Sequence, residues 1–413
     1  MIIIFKKYKL RIILILSLIV MFLLNLCLEY SRYLDLIDEE VYQSKVDIQN
    51  VYPKSSYDIL KLKSNNFEFF ANIEKDQNIK KYDSINAIFL TSNIGFVDYL
   101  KGSFYSKIIY FDFIKKKEDN FSKIINHINS NHEDEMIKEL FQTLFLGTYI
   151  SKELRTICTN YGIAHVIALS GFHLAVLSFV IYWILYYPYA FFHQRYFPYR
   201  NKKFDLILIS ILFLFYYLIL TDIIPSLFRS FVMLILGVFL LRYNIKIVSY
   251  MNLFFTFLIV IALFPKFLFS LGFCFSIIAV FYIFLYIQYF KHLNKYFQII
   301  FFDLWMFLVF NPIVHLYFPQ TSYEQFLSIP INILFPIFYI SEIIAHIFEF
   351  SSYFDSYIKA FLDYKIVSFD VTTSIYFIVF YTFISVASVF NKKAFFVLNA
   401  LVVSFNLYLY LRF

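Results

Sequence analysis

The sequence predicts a polytopic α-helical membrane protein carrying one small extracytoplasmic all-β domain of OB-like type. Three observations lead there. Of 413 residues, 61% are hydrophobic and only 16% are charged, with a mean hydropathy of +0.67, whereas a soluble domain carries roughly 25% charged residues. From residue 140 onward the chain is almost continuously apolar, in runs about long enough to cross roughly 30 Å of hydrocarbon. Before that lies one extended hydrophilic stretch, residues 29–139, divided into short segments by Pro, Ser, Asn and Asp. The 57 Phe and 36 Tyr rise together with Ile, Lys and Asn, as a codon bias would produce, so aromatic abundance by itself is not read as base stacking. Seven Gly and nine Pro exclude a collagenous or linker protein. Three scattered cysteines (Cys27, Cys158, Cys274) exclude a disulfide framework or a zinc cluster.

The first apolar run, Ile12 to Leu28, follows Lys6, Lys7, Lys9 and Arg11. No small-x-small cleavage site follows it, and Leu26 stands where a lipoprotein site before Cys27 needs a small residue. Residues 1–28 are therefore expected to be an uncleaved membrane anchor, with its N-terminus in the cytoplasm by the positive-inside rule.

Residues 29–139 hold 15 Lys/Arg and 19 Asp/Glu, but Val41 to Lys117 hold 12 basic and 8 acidic between acidic flanks. Short strands are expected at Lys45–Val51, Asp58–Lys63, Asn66–Ile73 and Ile85–Thr91. About five such strands suit a small β-barrel such as an OB-fold; a small sandwich fits the periodicity as well. His127 and His132, followed by Glu133 and Asp134, read as a solvated acidic segment.

Residues 140–413 form the membrane domain. Spans are expected at Gly171–Ala190, Phe204–Leu220, Ser226–Leu241, Ile247–Phe264, Leu268–Phe290, Ile299–Phe318, Phe326–Ile347, Val371–Phe390 and Ala394–Leu411. With the hydrophilic domain outside, the inner loops hold Arg195, Arg200, Lys202 and Lys203, then Arg242 and Lys246, then Lys291 and Lys295, while the outer loops hold only Lys266. Strict alternation then puts Lys392 and Lys393 outside. Segment 326–347 contains Pro330, Asn332, Pro336, Glu342 and His346, so a re-entrant or broken element is expected there, which returns the two lysines inside. Phe350, Phe354, Ile358, Phe361 and Leu362 recur at helical spacing, as in an amphipathic helix on the membrane surface.

The stretch Ala164-His-Val-Ile-Ala-Leu-Ser-Gly-Phe-His-Leu174 places His165, Ser170 and His173 inside an apolar run. Ser170-Gly171 permits a helix break between residues 165 and 174, freeing backbone groups that need partners. The histidines are eight residues apart, about 80° off one face of a continuous helix, so a metal pair is not expected. Two histidines satisfied by neighbouring helices compete with a functional role.

This stretch resembles the motif of the ComEC family, the membrane channel proteins of bacterial DNA uptake. Asn93-Ile-Gly-Phe-Val-Asp-Tyr-Leu100 resembles the family segment that closes its outer OB-like domain. Ile150-Ser-Lys-Glu-Leu-Arg155, Pro225-Ser-Leu-Phe-Arg229, Ser270-Leu-Gly-Phe-Cys-Phe-Ser276 and Ile331-Asn-Ile-Leu-Phe-Pro336 are similar to later family segments, in the same order. Two departures stand out. Cys274 occupies a position where the family often has Gln. The metallo-β-lactamase-like domain of many members, with its HxHxDH site, has no counterpart in these 413 residues, so the resemblance is to a short form and strand degradation is expected of another protein.

The resemblance implies an inner-membrane channel that conducts single-stranded DNA into the cytoplasm during natural transformation. It also implies an extracytoplasmic DNA receptor and a cytoplasmic DNA-handling motor or binding proteins as partners, besides membrane lipid; a homo-oligomer remains open. A strand with one negative charge per nucleotide needs a hydrated, partly cationic path. The pathway candidates are His165, Ser170, Gly171, His173, Arg229, Asp303, Asn311 and Asn332, with His315 making the helix of Asn311 unusually polar. An ion pair of Arg229 with Asp222 is the structural alternative. In the outer domain, Lys54, Lys61, Lys63, Lys80, Lys81, Lys101 and Lys107 with Phe67, Phe69 and Phe70 are candidate contacts for a single strand. No phosphate-binding G-x-x-x-x-G-K-[ST] loop is present. No cofactor, metal or catalytic residue is expected. Two other classes compete: a membrane-embedded hydrolase using His165, Ser170 and His173, against which the absence of a nearby carboxylate weighs, and an ion-coupled transporter of a small solute built on broken helices and Asp303.

Overall fold

A computed structural model describes residues 8–411 apart from 65, 76–78, 80, 93, 115–119 and 243–248. Lys6, Lys7, Lys80, Asn93 and Lys246 lie outside the described residues. The first helix, α1 (Tyr8–Ile37), contains no Gly or Pro and runs unbroken for 30 residues, about 45 Å at 1.5 Å per residue. It outruns the expected anchor. Its middle lies along α10 (Tyr250–Leu263), where the Asn25 amide donates to the Ala262 carbonyl at 2.5 Å. Its last turn reaches the barrel, where Leu36 joins the core and Tyr33 donates to the Ile94 carbonyl at 2.8 Å.

Five strands close into a barrel of order β1-β2-β3-β5-β4: β1 (Val41–Pro53), β2 (Tyr57–Lys63), β3 (Glu68–Glu74), β4 (Ser84–Leu90) and β5 (Phe104–Ile114). The thirteen residues of β1 allow it to pair with β4 through Val41–Asp47 and with β2 from Asp47 onward. An irregularity between Ile48 and Asn50 bends the strand. β3 and β5 pair in parallel, so β5 must be reached by a crossover, supplied by β4 and α2 (Phe96–Lys101). Val46, Ile48, Leu60, Leu62, Phe69, Ala71, Ile85, Ala87 and Phe89 fill the interior. The four strands placed from sequence are all present; β5 is the fifth.

The hydrophilic region divides after β5. The hairpin of α3 (Asn120–Asn131) and α4 (Glu135–Leu146) buries Ile125, Ile128, Ile137, Phe141 and Leu144 with the helical domain, against Leu154, Val166, Val176, Phe335 and Tyr339. The residues from Asn120 to Leu146 thus share a core with the helical domain and not with the barrel. His132, expected in a solvated segment, is 3% exposed. Both helices are amphipathic; Glu133 and Glu135 are exposed, while His132, in the same link as Glu133, is turned inward. Asp134 caps α4 by accepting from the N–H groups of Met136 and Ile137.

The remaining helices are α5 (Lys152–Asn160), α6 (Ala164–Ile167), α7 (Gly171–Tyr196), α8 (Lys202–Leu220), α9 (Pro225–Arg242), α10, α11 (Leu271–Phe290), α12 (Lys295–Val314), α13 (Ser328–Ile347), α14 (Asp355–Leu362), α15 (Ile375–Ala387) and α16 (Lys392–Tyr410). Among the described residues, seven helices are long and apolar enough to cross a membrane, and three shorter apolar ones accompany them. The break expected within 326–347 is not formed. A 3-10 turn, Tyr323–Leu327, precedes α13, which then continues through Pro336; a proline removes one helical donor, a loss that packed neighbours absorb. The amphipathic segment is shorter than expected: in α14 Ile358, Phe361 and Leu362 pack on the core while Tyr357 is exposed, and Phe350 and Phe354 lie before the helix and are exposed.

The barrel is seated on the helical domain by lysines. Lys61 pairs with Glu68 at 3.1 Å and lies 3.8 Å over the Tyr149 ring. Lys63 pairs with Asp222 in the link between α8 and α9. Lys81 donates to the Tyr149 carbonyl at 2.6 Å. Lys266, in the link between α10 and α11, pairs with Glu29 at 2.8 Å and donates to the Asn66 carbonyl.

Candidate functional site

The helix break lies where Ser170-Gly171 places it, between α6 and α7. Ala168 and Ser170 adopt extended backbone. Ser170 Oγ accepts from the Phe172 N–H at 3.3 Å, and His173 Nδ1 accepts from the Ser170 N–H at 3.2 Å. This is a capping box with histidine in the place usually held by Glu. The donors freed by the break are thus met by the motif's own side chains. His173 has no exposed surface, and its ring packs edge-on against Phe335 (5.0 Å) and Tyr339 (5.1 Å) of α13. Its Nε2 is buried with no hydrogen-bond partner. His165 is exposed, and its Nε2–H meets Asn332 Oδ1 of α13 at 3.2 Å.

Gly171 brings this break against α9. A Cβ built on Gly171 would fall on Ser230 Oγ and within 3.1 Å of Arg229 Nη2, so close approach requires the missing side chain. Arg229 is 6% exposed. Its Nε donates to Ser276 Oγ of α11 and its Nη2 to Ser230 Oγ, both at 2.6 Å; its Nη1 lies 2.9 Å from Met233 Sδ. One turn earlier, Ser226 Oγ donates to the Leu169 carbonyl at 2.8 Å. Pro225-Ser-Leu-Phe-Arg-Ser230 therefore clasps the break through two serines and presents a cation beside it. The alternative pairing of Arg229 with Asp222 is not formed, because Asp222 engages Lys63; among the described residues no carboxylate pairs with Arg229.

Six pathway candidates thus converge: His165, Ser170, Gly171, His173, Arg229 and Asn332. Two do not join them by contact. Asn311 donates to Asn406 Oδ1 at 2.6 Å, tying α12 to α16, and its carbonyl accepts from His315 Nδ1 at 2.8 Å. Asp303, on the same helix, is half-buried. Cys274 meets the Leu268 carbonyl through its thiol at 3.8 Å. Ser230, Ser276, Phe335 and Tyr339 were missed from sequence; Ser276 and Phe335 stood inside quoted segments, but nothing local marked the other two. Among the described residues no group of three His, Cys, Asp or Glu is arranged to hold a metal ion.

On the barrel, Lys54, Lys101 and Lys107 are exposed. Lys61, Lys63 and Lys81 instead serve the seam with the helical domain. Burial acts to lower Lys61, but Tyr149 and Glu68 outweigh it and its pKa is raised; burial holds Lys63 and Lys81 below the ordinary value. Phe67 and Phe69 point into the core and offer no ring face to a base, because alternation along β3 turns Phe69 inward. Phe70 faces out and stacks at 5.3 Å on Tyr105, which is 62% exposed, with Lys107 next on the same face of β5. Tyr105 was missed because β5 had not been placed.

A family model described as Competence protein matches residues 144–412, a range that holds all eight pathway candidates and begins after the barrel. No curated protein and no solved structure matches the chain.

Proposed function

The chain belongs to the competence protein family, which serves DNA uptake, and we propose that it is the inner-membrane channel conducting single-stranded DNA into the cytoplasm during natural transformation. One observation carries this reading: a buried Arg229 held by Ser230 and Ser276 beside the α6–α7 break. Neutral hydroxyls fix the guanidinium without cancelling its charge, so it can meet successive phosphates. His165 and Asn332 add hydrogen-bonding groups on the other side of the break. Ser170 and His173 are engaged in the cap, which favours transport over hydrolysis at this motif and a non-enzymatic role.

The barrel lies outside in this reading, as an OB-like collar. Its seam touches the α8–α9 and α10–α11 links through Asp222 and Lys266. The basic α7–α8 and α11–α12 links, with Arg200, Lys202, Lys203, Lys291 and Lys295, stand at the opposite helix ends, as the positive-inside rule asks. Phe70, Tyr105, Lys101 and Lys107 are the outward face on which a strand would stack and pair its phosphates.

The test is uptake of fluorescent duplex DNA, together with transformation frequency, in a transformable host deleted for this gene and complemented with wild-type or Arg229→Ala copies. The deletion is expected to leave DNA outside the inner membrane and give no transformants, and the variant to remain defective at normal membrane abundance. DNA reaching the cytoplasm of the deletion strain would overturn the channel and favour transport of a smaller solute.

A further inference from the structure

The link between α3 and α4 carries a string of hydrogen bonds with no part in the site described above. His132 Nδ1 lies 2.8 Å from Asp355 Oδ1 of α14, and His132 Nε2 lies 3.0 Å from His346 Nε2 of α13. His346 Nδ1 lies 2.8 Å from the Glu342 carbonyl. Phe141 stacks on the His132 ring at 4.7 Å and seals it from water.

The number of protons follows from these contacts. Asp355 and the Glu342 carbonyl are acceptors at the two ends, and four ring nitrogens lie between them. Each of the three contacts needs one proton, but two neutral imidazoles carry only two. Without a third, two lone pairs face each other at 3.0 Å or a ring lone pair faces an oxygen. Burial of the His132 ring works against a charge there and lowers its pKa, while the Asp355 carboxylate opposes that effect. With the third proton in place the Asp355 charge is cancelled, the string as a whole is neutral, and all three contacts are met.

We propose that Asp355, His132 and His346 form a proton-binding site that latches the α3–α4 hairpin onto α13 and α14. Its ligand is one proton, taken up as the latch closes. The consequence reaches the break: Tyr339, which holds His173, lies seven residues, about two turns, before His346 on α13, and Phe145 of α4 packs on both at 5.8 and 4.9 Å. The inference does not depend on what the helical domain conducts.

The neighbouring charges are accounted for. His127 Nε2 donates to the His346 carbonyl at 2.8 Å. Lys138 pairs with Glu135 at 2.7 Å. Lys359 hydrogen-bonds Asp134 at 2.7 Å, which holds that carboxyl below its ordinary 3.8 and Lys359 above 10.5, so this clamp keeps its charge from pH 5 to 8. Glu342 is 1% exposed, neither carboxyl oxygen has a hydrogen-bond partner, and one lies 3.8 Å from His346 Nδ1.

Hydrogen–deuterium exchange of the full chain in lipid nanodiscs, corrected for intrinsic amide rates, reads the latch in residues 120–146. Protection is expected to fall from pH 5 to 8, by at most about tenfold per pH unit, the slope of one linked proton. In His346→Gln the amide donates to a neutral His132, and in Asp355→Asn the third proton has no charge to cancel. Both are expected to lose the pH dependence, and Glu342→Gln to keep it. A flat wild-type profile, or a wild-type profile retained in His346→Gln and Asp355→Asn, overturns the site. Loss of the dependence in Glu342→Gln alone assigns the proton to Glu342 and overturns it equally. Should one latch variant fail to fold, the other decides.

Discussion

Gly171 has no room for a methyl group, because Ser230 and the Arg229 guanidinium occupy the space. Gly171→Ala is expected to lower stability by about 1–3 kcal/mol, the usual range for overpacking, and Ser230→Ala to relieve part of it; thermal unfolding of the purified protein measures both. At Arg229 the geometry of the fork matters as well as its charge, since two of its nitrogens are each held by a serine. Lysine keeps the charge and loses the fork. Arg229→Lys is therefore expected to transform better than Arg229→Ala but worse than wild type. Equal activity of Lys and Ala variants at matched abundance would remove charge from the explanation.

Among the elements, β3 shows how a side chain's face decides its role. Phe69 lies in the barrel centre against Phe89 and Phe104, at 4.5 and 5.4 Å, so Phe69→Ala is expected to cost about 3–5 kcal/mol, seen as protease sensitivity of residues 41–114. Tyr105→Ala on the outer face should leave protection intact and weaken single-strand binding alone. The seam between barrel and helices has its own pH signature. Lys61 has a raised pKa because Tyr149 and Glu68 outweigh its burial. Its contribution is therefore complete below the unfolded value near 10.5 and lost as pH rises through the folded one. Thermal unfolding from pH 9 to 12 should show this loss in wild type and not in Lys61→Met.

For the whole molecule, the seam and the basic links make orientation testable. In a background without native cysteines, Tyr105→Cys is expected to react with a membrane-impermeant maleimide added to intact spheroplasts. Tyr296→Cys, near the basic α11–α12 link, should react only after permeabilisation. The reverse pattern would place the barrel inside and sink the proposed polarity.

The helical domain, four of the five strands and the break at Ser170-Gly171 were legible in the sequence because each rests on a local signal: apolar run length, alternation or a helix-interrupting pair. His165, His173 and Arg229 were singled out one by one through the resemblance of separate segments; that the break and α9 meet came only from the structure. Long-range pairing was not legible. Asp222 lies close to Arg229 in sequence yet engages Lys63, a barrel residue. Lys61 and Lys81 looked like free cations but belong to a seam, and Pro336 looked like a break but is carried through α13. His132 looked solvated, because nothing near it in sequence shows that His346 and Asp355, more than two hundred residues on, close over it. Local pattern specifies which elements form and which face is apolar. Which polar groups share a buried site depends on how those elements dock, since a buried donor or acceptor takes whatever partner the packing brings within reach.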